Sequence, residues 1–187
     1  TFEIGAGAWP LAQQELARTN LEKLRQTAPQ WYPVAAYLDR KGFPLYRNTQ
    51  LHYLPTGEAY LDDMLTVLDT AQRFIFVEYF IMAEGQIWDR LSEILCRKSR
   101  QGVEVKLIFD DFGSMMRMPN EKVEELQDAG VEVKVFNPVH HYVNRLYFNY
   151  RDHRKITCVD GDVAYTGGAN IADEYANLIE RFGYWKD

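Results

Sequence analysis

The sequence predicts an α/β fold, a mixed β-sheet flanked by helices, on three observations. Apolar residues switch along the chain between a helical period of three to four and short strand-like runs. The runs at 74–80, 103–109 and 131–136 are separated by helix-length segments, the pattern of a sheet covered by helices. Further on, Val159-Asp160-Gly161-Asp162-Val163 reads as a hairpin, because Asp-Gly suits the positive backbone angles of a tight turn.

The elements follow in order. Leu11 to about Gln26 has the periodicity of an amphipathic helix, and Pro29 and Pro33 break it. Leu45 to Leu54 contains an extended stretch that ends at Pro55-Thr56-Gly57. From Glu58 to Arg73, residues Leu61, Met64, Leu65, Leu68 and Ala71 form one helical face. Phe74 to Phe80 is apolar without alternation, so a strand buried on both faces is expected. A helix carrying Ile87, Leu91, Ile94 and Leu95 ends before Gly102, and Val103 to Phe109 is the next strand, entering Asp110-Asp111. Asn120 to about Ala129 is a helix stopped by Gly130, and Val131 to Phe136 returns as a strand. There is no internal repeat and no low-complexity linker.

Composition fits one ordered domain, since 47% apolar and 14% aromatic residues in a chain of 187 can bury a substantial core. A formal charge of −6 argues against a polyanion-binding module, which needs a basic field, so no nucleic-acid partner is expected. Arg145, Arg151, Arg154 and Lys155 nevertheless form a basic island suited to an anionic head group. Cys96 and Cys158 have neither metal-ligand nor disulfide spacing and read as core residues of a reducing compartment.

The chemistry concentrates in Asp152-His153-Arg154-Lys155-Ile156-Thr157-Cys158-Val159-Asp160 followed by Gly167-Gly168-Ala169-Asn170, an H-x-K-x4-D-x6-G-G-x-N pattern. Breaking a phosphodiester needs a nucleophile, a cationic cradle and an acid. Imidazole is nucleophilic at neutral pH, and covalent attack divides the reaction into two displacements through a phosphohistidine; His153 is the candidate. In an extended strand residues i and i+2 point to one side, so Lys155 reaches the same pocket and neutralises phosphoryl oxygens without metal or cofactor. Asn170 can donate to those oxygens, and Gly167 and Gly168 let backbone approach the ligand.

Asp160 completes the catalytic motif, but five extended steps put it about 16 Å from Lys155. It reads as a structural carboxylate that holds the hairpin turn. Glu78 interrupts an apolar strand and is either a paired core carboxylate or a substrate-binding part of the pocket wall. Asp110 and Asp111 follow a strand end, where capping is favoured over ligand contact, and Ser114 is ambiguous. Asp173 and Glu174 are assigned a surface role, as are His140 and His141.

The motif run, with Glu78-Tyr79-Phe80-Ile81, Asp110-Asp111-Phe112-Gly113-Ser114, Phe136-Asn137-Pro138 and Arg181-Phe182-Gly183-Tyr184-Trp185-Lys186-Asp187, resembles the phospholipase D superfamily and within it the bacterial cardiolipin synthases. The resemblance covers roughly Phe43 to Asp187. It implies a phospholipase D-like α/β/α sandwich and condensation of two phosphatidylglycerols into cardiolipin with release of glycerol. It also implies that Asp187 binds the far nitrogen of His153. The partners implied are phosphatidylglycerol and an anionic membrane surface, at the cytoplasmic side of a bacterial membrane. Aromatic residues within 142–148 suit an interfacial rim.

Family members carry two such motifs and amino-terminal membrane helices, whereas this sequence has one motif. Its apolar stretches, such as Phe74-Ile75-Phe76-Val77, fall far short of the ~20 residues needed to span a bilayer. The expectation is a fragment: residues 1–42 a helical segment and 43–187 a first catalytic half, the second motif coming from a missing C-terminal half or a second subunit. The alternatives are a single-motif phospholipase or nuclease completed at a twofold axis, or an inactive isolated half.

Overall fold

The computed structural model describes residues 11–139 and 149–186. The chain divides into two compact units, residues 1–52 and 53–187.

In the first unit, helix α1 spans Leu11–Thr27, a 3-10 turn spans Pro29–Trp31, and helix α2 spans Tyr32–Arg40. The prolines open these elements. Pro33 lies in the first turn of α2, where its missing N–H has no helical partner to lose. Asn20 Nδ2 donates to Leu45 O at 2.7 Å and ties the following segment to α1. That segment, expected to be extended, joins no β-ladder.

The second unit is built on a five-stranded sheet in the order β3-β2-β1-β4-β5. Its strands are β1 (Phe74–Tyr79), β2 (Glu104–Asp110), β3 (Glu132–Phe136), β4 (Lys155–Val159) and β5 (Val163–Thr166). β1, β2 and β3 run parallel, while β4 and β5 are antiparallel additions, so the sheet is mixed as expected. Helices α3 (Gly57–Leu68), α4 (Gln86–Arg100), the single turn α5 (Asp111–Ser114) and α6 (Asn120–Asp128) complete it.

Helix α3 starts at Thr56, whose hydroxyl accepts the Ala59 N–H at 3.3 Å. Gly57 is obligatory there, since a Cβ would fall 1.6 Å from the Tyr175 carbonyl oxygen. The helix ends at Leu68, short of Arg73, because Asp160 takes the N–H groups of Gln72, Arg73 and Phe74 at 2.7–2.8 Å.

Strand β1 alternates where continuous burial was expected. Ile75, Val77 and Tyr79 are buried, while Phe76 is 36% exposed and Glu78 half-buried. Two β–α–β crossovers of the same hand, advancing in one direction, put α4 and α6 on one face, and α3 packs against α4 there. Their apolar sides close a single core around Leu61, Met64, Trp88, Leu91, Leu95 and Leu107. Phe76, Lys106, Ile108, Lys134, Ile156 and Cys158 line a shallow concavity of about 460 Å³ on the other face.

Candidate active site

Because β4 runs antiparallel to β1, its first residue, Lys155, pairs with Tyr79 at the C-terminal end of the parallel strands. Open α/β sheets bind ligands at that edge. β5 pairs Thr166 with Ile156, which carries exposed Gly167 and Gly168 to the same edge.

His153 precedes β4 and is exposed, its ring 4.7 Å from that of Phe80 between centroids. Lys155 is 5% exposed; its ammonium donates to the His153 carbonyl at 2.9 Å and stands 5.4 Å from the same Phe80 ring. Both side chains therefore lie against one aromatic surface, as the i, i+2 spacing requires. Asn170 is buried, and its Oδ1 accepts the Ile81 N–H at 2.9 Å.

Asp160 lies elsewhere, at the far end of β4. It and Gly161 take φ of 56° and 77°, the left-handed pair of a tight hairpin turn. Its carboxylate accepts three backbone N–H groups, those of Phe74 and Gln72 foremost, and they hold its carboxyl below the usual carboxylate range. Asp160 thus reaches β1, not the His153 pocket.

Glu78 is not brought to Lys155. Alternation turns it to the other face of the sheet, where it pairs with Arg154 and hydrogen-bonds Asp152. Burial, and then the bond and charge of Asp152, push the Glu78 carboxyl up to about 7. For Asp152, burial acts upward too, but the Glu78 hydrogen bond and the Arg154 guanidinium outweigh it and hold the carboxyl below its ordinary value. Arg154 Nε bonds Asp152 Oδ1 at 3.0 Å.

Several polar residues settle as structure. Asp110 is fully buried and accepts Asp152 N at 2.9 Å, Gly113 N at 3.2 Å and Arg151 Nη1 at 3.4 Å. Asp111 accepts Val139 N at 2.6 Å, and Ser114 Oγ accepts Met82 N at 3.0 Å. Asp173 and Glu174 do not behave as surface residues. Asp173 caps α4 through Gln86 N and Ile87 N at 3.0 and 2.9 Å, and Glu174 is buried against Arg117 at 2.6 Å. Two arginines of the basic island are held in the same way, Arg151 by Asp110 and Arg154 by Asp152 and Glu78. Asp187, His140, His141, Arg145 and the 142–148 rim lie outside the described residues.

Sequence reasoning read Asp110 as a capping residue, which it is for Gly113 N, and missed Phe80 and Asp152. Asp152 carried a local signal, an acid directly before His153. Phe80 acts through tertiary contacts that no spacing encodes.

An imidazole and an ammonium on one ring, at the ends of a mixed sheet and within an H-x-K-x4-D motif, define the class: the phospholipase D superfamily of phosphodiesterases and transferases. The chain belongs to the family described as cardiolipin synthase, PLD-like domain, whose model matches residues 64–179. It is 36% identical over 175 residues to a cardiolipin synthase of Geobacillus kaustophilus, covering 93% of this chain and 34% of that protein. An uncharacterized protein of Streptococcus mutans is 45% identical over 168 residues, 89% of this chain and 36% of its own length. The chain thus spans about a third of the length of these relatives. Among solved structures, a phospholipase D family member, Nuc from Salmonella typhimurium, aligns with a TM-score of 0.47 and 19% identity over 61% of this chain and 66% of that one.

Proposed function

We propose that this domain carries one half of a phosphatidyl-transfer site of the cardiolipin synthase type. The observation that carries the reading is the convergence of His153 and Lys155 on the Phe80 ring. His153 attacks the phosphorus of one phosphatidylglycerol, the phosphorus–oxygen bond to the head-group glycerol breaks, and a phosphatidylhistidine forms. Lys155 and the Asn170 amide balance the charge on the non-bridging oxygens, with Gly167 and Gly168 allowing close backbone approach. The glycerol oxygen takes its proton from a second motif histidine outside these 187 residues, in another segment or another subunit. A hydroxyl of a second phosphatidylglycerol, its proton passing back to that second histidine, then displaces His153, giving cardiolipin and restoring the imidazole. Asp187 orients His153 through its far nitrogen.

The partner surface is an anionic bilayer on the cytoplasmic side of a bacterial membrane. The exposed stripe Trp31, Val34, Tyr37 and Leu38 with Arg40 and Lys41 in the first unit suits such an interface. Among the described residues no helix is long and apolar enough to cross a membrane.

The test is intermediate trapping. The chain, joined to a segment that carries the second motif, is quenched after incubation with phosphatidylglycerol vesicles, and separately with single-stranded DNA, and peptides are mapped by mass spectrometry. An acid-labile phosphatidyl adduct on His153, absent from His153→Ala, is expected. Turnover by His153→Ala, or an adduct from DNA alone, overturns the reading.

A further inference from the structure

Both neighbours of His153 are held from outside their own segment. Asp152 and Arg154 bond each other, and both meet Glu78, which belongs to β1. Two carboxyl groups in hydrogen-bond contact require a proton between them, since two carboxylates would repel. Glu78 supplies that proton as donor to Asp152, and Arg154 closes the ring by bonding both acids. Asp110 fixes the Asp152 N–H as well, so the chain on each side of the imidazole is pinned to the sheet.

We propose that Glu78 is a positioning residue for His153: bonded at once to Asp152 and Arg154, its carboxyl group sets the angle at which the imidazole leaves the sheet, and its ionisation relaxes that angle. The geometry stands by itself, but the catalytic consequence rests on the reading of His153 as nucleophile.

Charged groups approach Glu78 from each neighbouring strand. Asp152 and Arg154 come from the segment entering β4 and are bonded to it. Asp110, with Arg151, ends β2; Lys106 of β2 and Glu132 and Lys134 of β3 line the same concavity. Its register neighbours, Ile108 and Ile156, are apolar and favour the uncharged carboxyl. The shift of Glu78 to about 7 agrees with this setting. As pH rises through neutrality the donor to Asp152 is lost, two anions adjoin, and Arg154 alone bridges them.

The experiment is amide hydrogen exchange by NMR on the 187-residue chain from about pH 5.5 to 8.5, corrected for intrinsic rates, with His153 ring signals recorded in parallel. Arg154 N–H, which donates to Asp152 Oδ1 at 3.4 Å, is the reporter. Its protection is expected to fall roughly tenfold across neutrality in the unaltered chain. It stays level in Glu78→Gln, which keeps a donor, and is low throughout in Glu78→Ala. The His153 ring signals move with the Glu78 ionisation, and Glu78→Gln removes that movement. The proposal is overturned if protection is level in the unaltered chain, or falls equally in Glu78→Gln. A fall specific to Glu78 without any phosphatidyl adduct supports the positioning and removes the catalytic reading; an adduct on His153 with level exchange does the reverse.

Discussion

Glu78 and Asp152 have the same functional group and opposite protonation, and the difference lies in their surroundings. Glu78 sits between isoleucines with an acid beside it, whereas Asp152 accepts hydrogen bonds from the Glu78 carboxyl and the guanidinium of Arg154. The consequence for stability has a definite sign. The folded chain binds the Glu78 proton more tightly than the unfolded chain, whose carboxyl keeps its ordinary value near 4.5. That contribution is complete below about pH 4.5, declines as pH rises toward about 7, and is absent above. Melting curves of Glu78→Gln should therefore lose this decline, so that its Tm gains on the parent by a few degrees between about pH 5 and 8.

Helix α4 illustrates how elements borrow what their own sequence lacks. It begins after Gly85 with no capping side chain of its own, and Asp173, far along the chain, supplies the carboxylate for Gln86 N and Ile87 N. Asp173→Ala should cost about 1 kcal/mol, or roughly 2–4 °C in Tm for a chain of this size, by differential scanning calorimetry. The cost is moderate because the buried face of α4, with Ile87, Trp88, Leu91 and Leu95, remains intact. Periodicity made that face legible, since Ile87, Leu91 and Leu95 recur at helical spacing. The cap was not legible, because it joins residues 86 positions apart. Strand β1 was misread for a related reason: an apolar run does not reveal how many of its faces will be covered, and here the handedness of the crossovers placed the helices on one.

At the scale of the whole molecule, Asp160 joins the hairpin to the start of β1. Asp160→Ala should lower the Tm clearly, and Asp160→Asn should recover part of the loss, because an amide oxygen still accepts N–H bonds. Its folded carboxyl lies below the ordinary value of 3.8, so its contribution is present above that pH and fades as acid protonates the folded chain. The Asn variant should accordingly lose less stability between about pH 4 and 2 than the parent.

The sheet, its mixed character and the strand-to-helix order could all be read from the sequence, as could the meeting of His153 with Lys155. A period of two and an Asp-Gly turn are local signals that survive into the fold. The ring of Glu78, Asp152 and Arg154 could not be read, since it depends on which strand neighbours β4. Nor could the partners of Arg151 and Arg154, which are Asp110 of β2 and Glu78 of β1.

The three N–H groups held by Asp160 lie 86 to 88 positions upstream of it. During synthesis on a ribosome, β1 leaves the tunnel and must wait for most of the domain to be translated before this clasp can close. Central strands with an open edge are then available to any passing chain, and slow translation or a shortage of chaperones would show first as aggregation of nascent polypeptides truncated before residue 160.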